Sequence, residues 1–266
     1  TAIGRLELIE TLRAEAERLG VDIRFEVVIE DLDALEADLI IGADGLNSTV
    51  RTRYEDAFQP RVEQFSNHFA WFGAEVAFDT LTQPFVETEF GPMHAHHYRF
   101  APGRSTFIVE CEHAVFERAG FAEESEAESA RRCAEIFKGV LAGAPLITNK
   151  SNWRQFPKLW CESWVAERAV LLGDAVHTAH FSIGSGTRLA MEDAIALVNA
   201  LTTAPSIEAA LTAYQAARPP IAKKIVDAAN TSATWYETFG DKLARAPMDF
   251  AYAYLTRSGR LRHEKL

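Results

Sequence analysis

Cysteine is scarce in this chain. Cys111, Cys133 and Cys161 are odd in number, far apart and without a Cys-x-x-Cys pair, which excludes a disulfide framework and a cysteine-based zinc site. No apolar run approaches the ~20 residues that a membrane-crossing helix needs. No charged-then-apolar leader opens the sequence either. These absences lead us to expect a cytoplasmic protein with no membrane partner. Positive charge is also short: 27 Lys and Arg stand against 38 Asp and Glu, a formal net charge of −11, which argues against nucleic acid and anionic lipid as partners. A Gly-x-Ser-x-Gly elbow is missing as well, so no side-chain nucleophile of that type is expected.

What is there is an ordinary globular composition, 48% hydrophobic and 24% charged, in 266 residues, enough for one large domain or two lobes. The most informative stretch is Arg168 to Leu201, which reads as a buried strand, an acidic turn, a glycine-spaced loop and a helix. Ala169 to Leu172 is a short apolar run of strand length. Gly173 lets the chain bend sharply, so that Asp174 can present its carboxylate. Gly184 and Gly186 precede a helix-forming segment and let backbone N–H groups approach an anionic or carbonyl oxygen at the positive end of the helix dipole. A second segment of the same kind lies upstream, where Leu39 to Ile41 form a strand and Gly42 to Gly45 the bend after it. Ligands of open α/β sheets gather beyond the carboxyl ends of the strands, so Asp44 and Asp174 are expected on one rim, sharing one extended ligand.

The ordered pair of motifs resembles the Asp-Gly and Gly-Asp motifs of FAD-dependent aromatic hydroxylases of the p-hydroxybenzoate hydroxylase type. The resemblance covers nearly the whole chain. It implies an α/β fold: a partial FAD-binding Rossmann-like (GR2-type) domain with an inserted antiparallel-sheet substrate lobe and C-terminal helices. It implies that Asp174, after Gly173, holds a ribose hydroxyl of FAD, and that the backbone of Gly184, Ser185, Gly186 and Thr187 lies over the flavin and pyrophosphate. It further implies that Asp44, Gly45, Ser48 and Arg51 support FAD and the incoming NADH or NADPH. The family's reaction is hydroxylation of an aromatic ring by molecular oxygen through a flavin C4a-hydroperoxide.

Departures from the family pattern point to a branch. Thr178 stands where a proline is common, and Thr187 where an asparagine is. The string His177 to Thr187, HTAHFSIGSGT, and the tail Phe250 to Arg260, FAYAYLTRSGR, resemble hydroxylases of aromatic acyl-CoA thioesters such as salicylyl-CoA or 2-aminobenzoyl-CoA. In parts of that branch a flavin reductase-like barrel follows this tail. An anionic CoA ester would need a local basic patch on so acidic a chain. The family's opening Gly-x-Gly-x-x-Gly loop is absent: the only Gly-x-Gly is Gly184 to Gly186, with Leu189 where the third glycine would stand. The chain is therefore expected to be a fragment without its first βαβ unit. The alternatives are a truncated polypeptide that binds an aromatic ligand without FAD, and a flavin-dependent reductase or dehydrogenase.

Residues 1–53 and 165–266 are expected to form the FAD-binding part and 54–164 the substrate lobe. Leu6, Ile9, Leu12, Ala16 and Leu19 recur at helical spacing before Gly20, and Val21, Ile23 and Phe25 alternate as in a strand. Strands are expected over His68–Phe78, Thr88–Phe100 and Ser105–Cys111, with turns at Gly91-Pro92 and Pro102-Gly103. A helical insert over Glu123–Val140 follows. Later helices run from Ser206 to Arg218 and, beyond Pro219-Pro220, from Ile221 to Phe239.

Several candidates admit two readings. Asp44 is either a cofactor contact or a turn carboxylate, and Asp174 a cofactor contact or a helix cap. Arg51 serves the site or is a surface charge. His177 and His180 orient or deprotonate a phenol, or else pin the loop; Phe181 lines the substrate or packs. His94 and His96 share one face of a strand and line the substrate pocket or the ordinary sheet surface. His97 points the other way, so no metal is expected. Glu192 and Asp193 are expected only to complement the helix dipole.

Overall fold

The computed structural model describes residues 3–261. In chain order the elements are α1 (Arg5–Arg18), β1 (Ile40–Gly42), α2 (Thr49–Arg53), α3 (Glu55–Phe58), β2 (Pro60–Ala74), β3 (Phe85–Thr88), β4 (Gly91–Ala101) and β5 (Arg104–Cys111). Then come α4 (His113–Ala119), α5 (Glu126–Ile136), α6 (Lys138–Leu141), β6 (Leu146–Ile147), β7 (Arg154–Cys161), β8 (Val165–Ala166) and β9 (Ala169–Leu171). The chain ends in α7 (Gly186–Thr203), α8 (Ile207–Ala217), α9 (Pro219–Tyr236), α10 (Gly240–Leu243) and α11 (Pro247–Thr256). No described helix is long and apolar enough to cross a membrane.

Two compact units emerge. The first takes the residues up to Ile29 together with Ser66–Gln155. Its sheet has the order β3-β4-β5-β2-β6, and β7 also pairs β2. Strand alternation sends Phe72, Met93, Phe107 and Val109 into a core closed by Phe121, just after α4, and Phe137, between α5 and α6. Each such side chain contributes about 1.5–3 kcal/mol by leaving water. A capping box starts α5: Ser125 Oγ accepts from Glu128 N, and Glu128 answers onto the Ser125 main chain.

The second unit takes Glu30–Phe65 and the residues from Phe156 onward. Here β1 and β9 run parallel and β8 antiparallel, in the order β1-β9-β8. Ile40, Val50, Trp164, Val170, Leu171, Leu189, Leu197 and Tyr214 build its core. Ser206 caps α8 by accepting from Ala209 N, and Pro219 begins α9, where a missing N–H costs nothing.

Two local expectations are corrected. Val21 to Phe25 form no strand: the segment is irregular and Val21 and Phe25 are exposed, because no neighbouring strand among the described residues takes up its backbone hydrogen bonds. Gly91-Pro92 is not a turn but the start of β4, since Gly91 pairs Thr88 and the bend falls on Glu89 and Phe90. Pro102-Gly103 does turn the chain: Ala101 pairs Arg104, and Gly103 takes φ +69°.

Candidate functional site

The rim of the second unit is set by strand register. Ile40 pairs Ala169, Ile41 pairs Val170 and Gly42 pairs Leu171, so β1 and β9 end level with each other. Leu172 N continues the ladder onto Gly42 O at 3.0 Å. The turns that follow therefore start side by side, one carrying Asp44 and Gly45, the other Gly173 and Asp174. Gly173 is at φ +58°, and a Cβ there would lie 2.9 Å from that of Ala190 on α7, so only glycine lets the turn press against the helix.

Asp44 turns inward. Its Oδ2 accepts from Thr49 N at 2.8 Å, Thr49 Oγ1 at 3.0 Å and Val50 N at 3.3 Å, which fixes the start of α2. Partial burial works to raise its pKa, but hydrogen bonds from Ser48, Val50 and Thr49 outweigh it and hold the carboxyl below its usual range. Buried Ser48 is the N-cap, its Oγ accepting from Arg51 N at 2.9 Å. The Arg51 side chain is not a loose surface charge. Its Nη1 donates to Ala175 O at 2.7 Å and its Nη2 to Leu46 O, so one guanidinium ties the first acidic turn to the second.

Asp193 holds the second turn from beneath. It is fully buried, and its Oδ2 accepts from Gly173 N at 3.0 Å and from His177 Nε2 at 2.9 Å. Its Oδ1 accepts from Arg218 Nε at 2.7 Å, and Arg218 Nη2 also reaches Leu189 O and Glu192. Desolvation pushes the Asp193 pKa up; the hydrogen bonds and charges of His177, Arg218 and Gly173 outweigh it, so the group titrates below the usual range. The dipole role expected for Asp193 is thus corrected. A signal was available: Leu189, Asp193, Leu197 and Ala200 form the buried stripe of α7, with a carboxylate in an apolar position.

His177 is buried against Trp164 and Trp160, with ring centroids 5.1 and 6.2 Å away. His180 is equally buried. Its Nδ1 accepts from Ser182 N at 3.3 Å, and its ring packs on Phe65, Phe156 and the half-buried Phe181. Both histidines thereby pin the loop leading to Gly184.

Gly184 adopts φ +61°, and α7 begins at Gly186 with no side-chain cap and no acidic residue in its first turn. A Cβ at either glycine would meet nothing within 4 Å. The first intrahelical bond runs from Leu189 N to Ser185 O, so the preceding N–H groups of an 18-residue helix are open to an anionic or carbonyl oxygen. Ser185 is buried, its Oγ on Ile183 O, whereas Thr187 is exposed. Arg188 points outward onto Glu192 at 2.7 Å. Asp174 is exposed at the rim. An exposed carboxylate suited to a vicinal diol, open N–H donors at a helix start and two small glycines match the needs of a dinucleotide such as FAD.

His94 and His96 belong to the first unit. His94 pairs Glu110 across β4 and β5, with Nε2 to Oε2 at 3.5 Å; Asn67 Nδ2 donates to Glu110 Oε1 at 2.8 Å, and Gln83 Nε2 lies 3.2 Å from His94 Nδ1. His96 is half-buried opposite Ile108. His97 points to the other face, against Phe78 and Phe107. Among the described residues no three His, Cys, Asp or Glu are placed to hold a metal ion.

Residues 1–229 match the FAD binding domain family. Salicyloyl-CoA 5-hydroxylase of a Streptomyces species is 38% identical over 97% of this chain and 52% of its own length. The 3-hydroxy-4-methyl-anthranilyl-(aryl-carrier protein) 5-monooxygenase of Streptosporangium sibiricum is 38% identical over 90% of this chain and 64% of its own. The chain thus spans about half to two thirds of the length of these relatives. A crystal structure of 2-methyl-3-hydroxypyridine-5-carboxylic acid oxygenase shares the fold with a TM-score of 0.66, at 20% identity, over 96% of this chain and 71% of that one.

Proposed function

The chain belongs to the FAD-dependent aromatic hydroxylase family, and from that premise we propose that it forms the FAD-holding rim and the substrate lobe of a monooxygenase acting on an aromatic acyl-CoA thioester. The observation that carries the reading is the joining of the two acidic turns, level at the ends of β1 and β9 and tied by Arg51. The thioester rests on the likeness to the salicyloyl-CoA hydroxylase.

In this reading the second unit, which carries the rim, makes up the FAD-binding part, and the sheet of the first unit the substrate-binding lobe. Asp174 accepts from ribose hydroxyls. The open N–H groups of Gly186 and Thr187, reached over Gly184 and Ser185, receive phosphate or flavin carbonyl oxygen. Asp44, Gly45, Ser48 and Arg51 keep the neighbouring wall in shape, Asp44 through α2 rather than by direct contact. The chemistry that FAD supplies when bound is reduction by NADH or NADPH and activation of molecular oxygen for insertion into an electron-rich ring.

The chain's own side chains bind, orient and exclude water. His177 gives its Nε2 to Asp193, which leaves Nδ1 as the nitrogen that can accept a proton; His180 and Phe181 hold the loop. In the substrate lobe, half-buried His96 of β4 offers its ring nitrogens to a substituent of the substrate, while His94, Glu110 and Asn67 are buried and hold one another.

The test is oxygen uptake by the FAD-loaded protein. NADH or NADPH oxidation that rises on adding salicyloyl-CoA, with a hydroxylated thioester recovered, supports the reading. Cofactor oxidation that yields no hydroxylated product contradicts it.

A further inference from the structure

We propose that Asp193, within α7 and away from the rim, is the positioning residue for the Gly173–Asp174 turn and for the tautomer of His177. The inference rests on the FAD reading above and names a residue that acts on that site through others. One oxygen, Oδ2, serves two donors that both belong to the turn: Gly173 N, immediately before Asp174, and His177 Nε2, further along the same bend. An ionised carboxylate can only accept, so Nε2 of His177 carries a hydrogen, and in the neutral ring Nδ1 carries none. Nδ1 is buried and has no hydrogen-bond partner among the described residues, so Asp193 alone sets the tautomer there.

The opposite oxygen receives Arg218 Nε at 2.7 Å, and this buried cation keeps Asp193 ionised where an isolated charge would be expelled. Gly173 is pressed onto Ala190 of the same helix, so height above α7 is fixed by sterics and rotation of the turn by the carboxylate. The direction in which Asp174 leaves the turn therefore depends on the charge held beneath Gly173 and His177. A merely structural ion pair would need only Arg218.

Asp193→Asn, Arg218→Gln and their double variant test this. In the Asp193→Asn variant, keeping oxygen toward Gly173 and His177 turns the amide NH₂ against Arg218 Nε–H. Adding Arg218→Gln places a side-chain carbonyl within reach of that NH₂ and removes the clash of donors. Two readouts apply to the full chain: ¹⁵N NMR of the His177 ring and Gly173 amide without FAD, and the FAD dissociation constant from flavin fluorescence. The wild type is expected to show the Nε2–H tautomer. Asp193→Asn should weaken FAD about tenfold or more and shift both NMR signals, with recovery in the double variant to within about threefold.

Unchanged FAD affinity and unmoved signals in a folded Asp193→Asn protein overturn the proposal, as does a folded double variant that fails to recover. Should the single variant not fold, the double variant alone decides by the same criteria. Absence of FAD binding by the wild type defeats the cofactor reading instead, and the NMR arm still shows whether Asp193 sets the turn.

Discussion

Arg51 Nη1 lies 2.7 Å from the main-chain oxygen of Ala175, so a side chain of α2, the helix after the β1 turn, holds the turn after β9 across 124 residues of sequence. A charged donor to a carbonyl contributes about 1.5–3 kcal/mol, and here one group serves two acceptors. Arg51→Met is expected to cost about 2–3 kcal/mol in urea unfolding with an unchanged m-value, and to weaken FAD binding. Arg51→Lys, which can reach one carbonyl well but lacks the planar fork, should fall between. A midpoint shift no larger than that of an exposed Arg-to-Met control would contradict the clamp.

Gly173 and Gly184 both sit in the left-handed region but differ in their surroundings. Ala at 173 would bring Cβ atoms to 2.9 Å from Ala190, whereas Ala at 184 would meet open space. Gly173→Ala is expected to destabilise by about 2–4 kcal/mol, and Gly184→Ala by only about 1–2 kcal/mol. The second variant should nonetheless lose FAD affinity, because its new methyl occupies the ligand's approach. Thermal unfolding beside FAD titration separates the two effects, and equal melting points would refute the packing argument.

Burial raises all three thiols: Cys111 and Cys133 far above the ordinary range, and Cys161 to about 12. The native protein should therefore react with no equivalent of a thiol-specific disulfide reagent at about pH 8, and with three after unfolding in urea. Rapid labelling of any one in the folded state would place that cysteine at an accessible surface.

Acid stability carries the mark of Asp193. Its folded pKa lies below the ordinary 3.8, so the stabilisation is fully present above that value and is lost as pH falls through the lower folded value. Asp44 and Glu192 are shifted the same way and add to the slope. The urea midpoint should fall steeply below about pH 4, and Asp193→Asn should flatten, not abolish, that fall. An identical acid profile in the variant would show that the buried carboxylate contributes nothing.

Much of the rim was legible in the sequence because its signals are local. Ala169 to Leu171 and Ile40 to Gly42 are short apolar runs closed by glycine, and Gly184 and Gly186 mark the helix start by their spacing. What was not legible is carried through space. The Arg51 clamp and the Asp193–Arg218 pair join residues whose separation no periodicity records. Val21 to Phe25 show the converse, since alternation creates the opportunity for a strand but only a neighbour makes one. His94 was placed on the right face by strand parity, while its pairing with Glu110 needed the β4–β5 register.

The central claim is that the two acidic turns form one dinucleotide-binding rim, and FAD titration of the chain followed by flavin fluorescence tests it most directly. Saturable binding is expected, weakened about tenfold or more by Asp174→Ala, with the folded state intact by circular dichroism. Binding that is absent in the wild type, or unaltered by the loss of the Asp174 carboxylate, would contradict it.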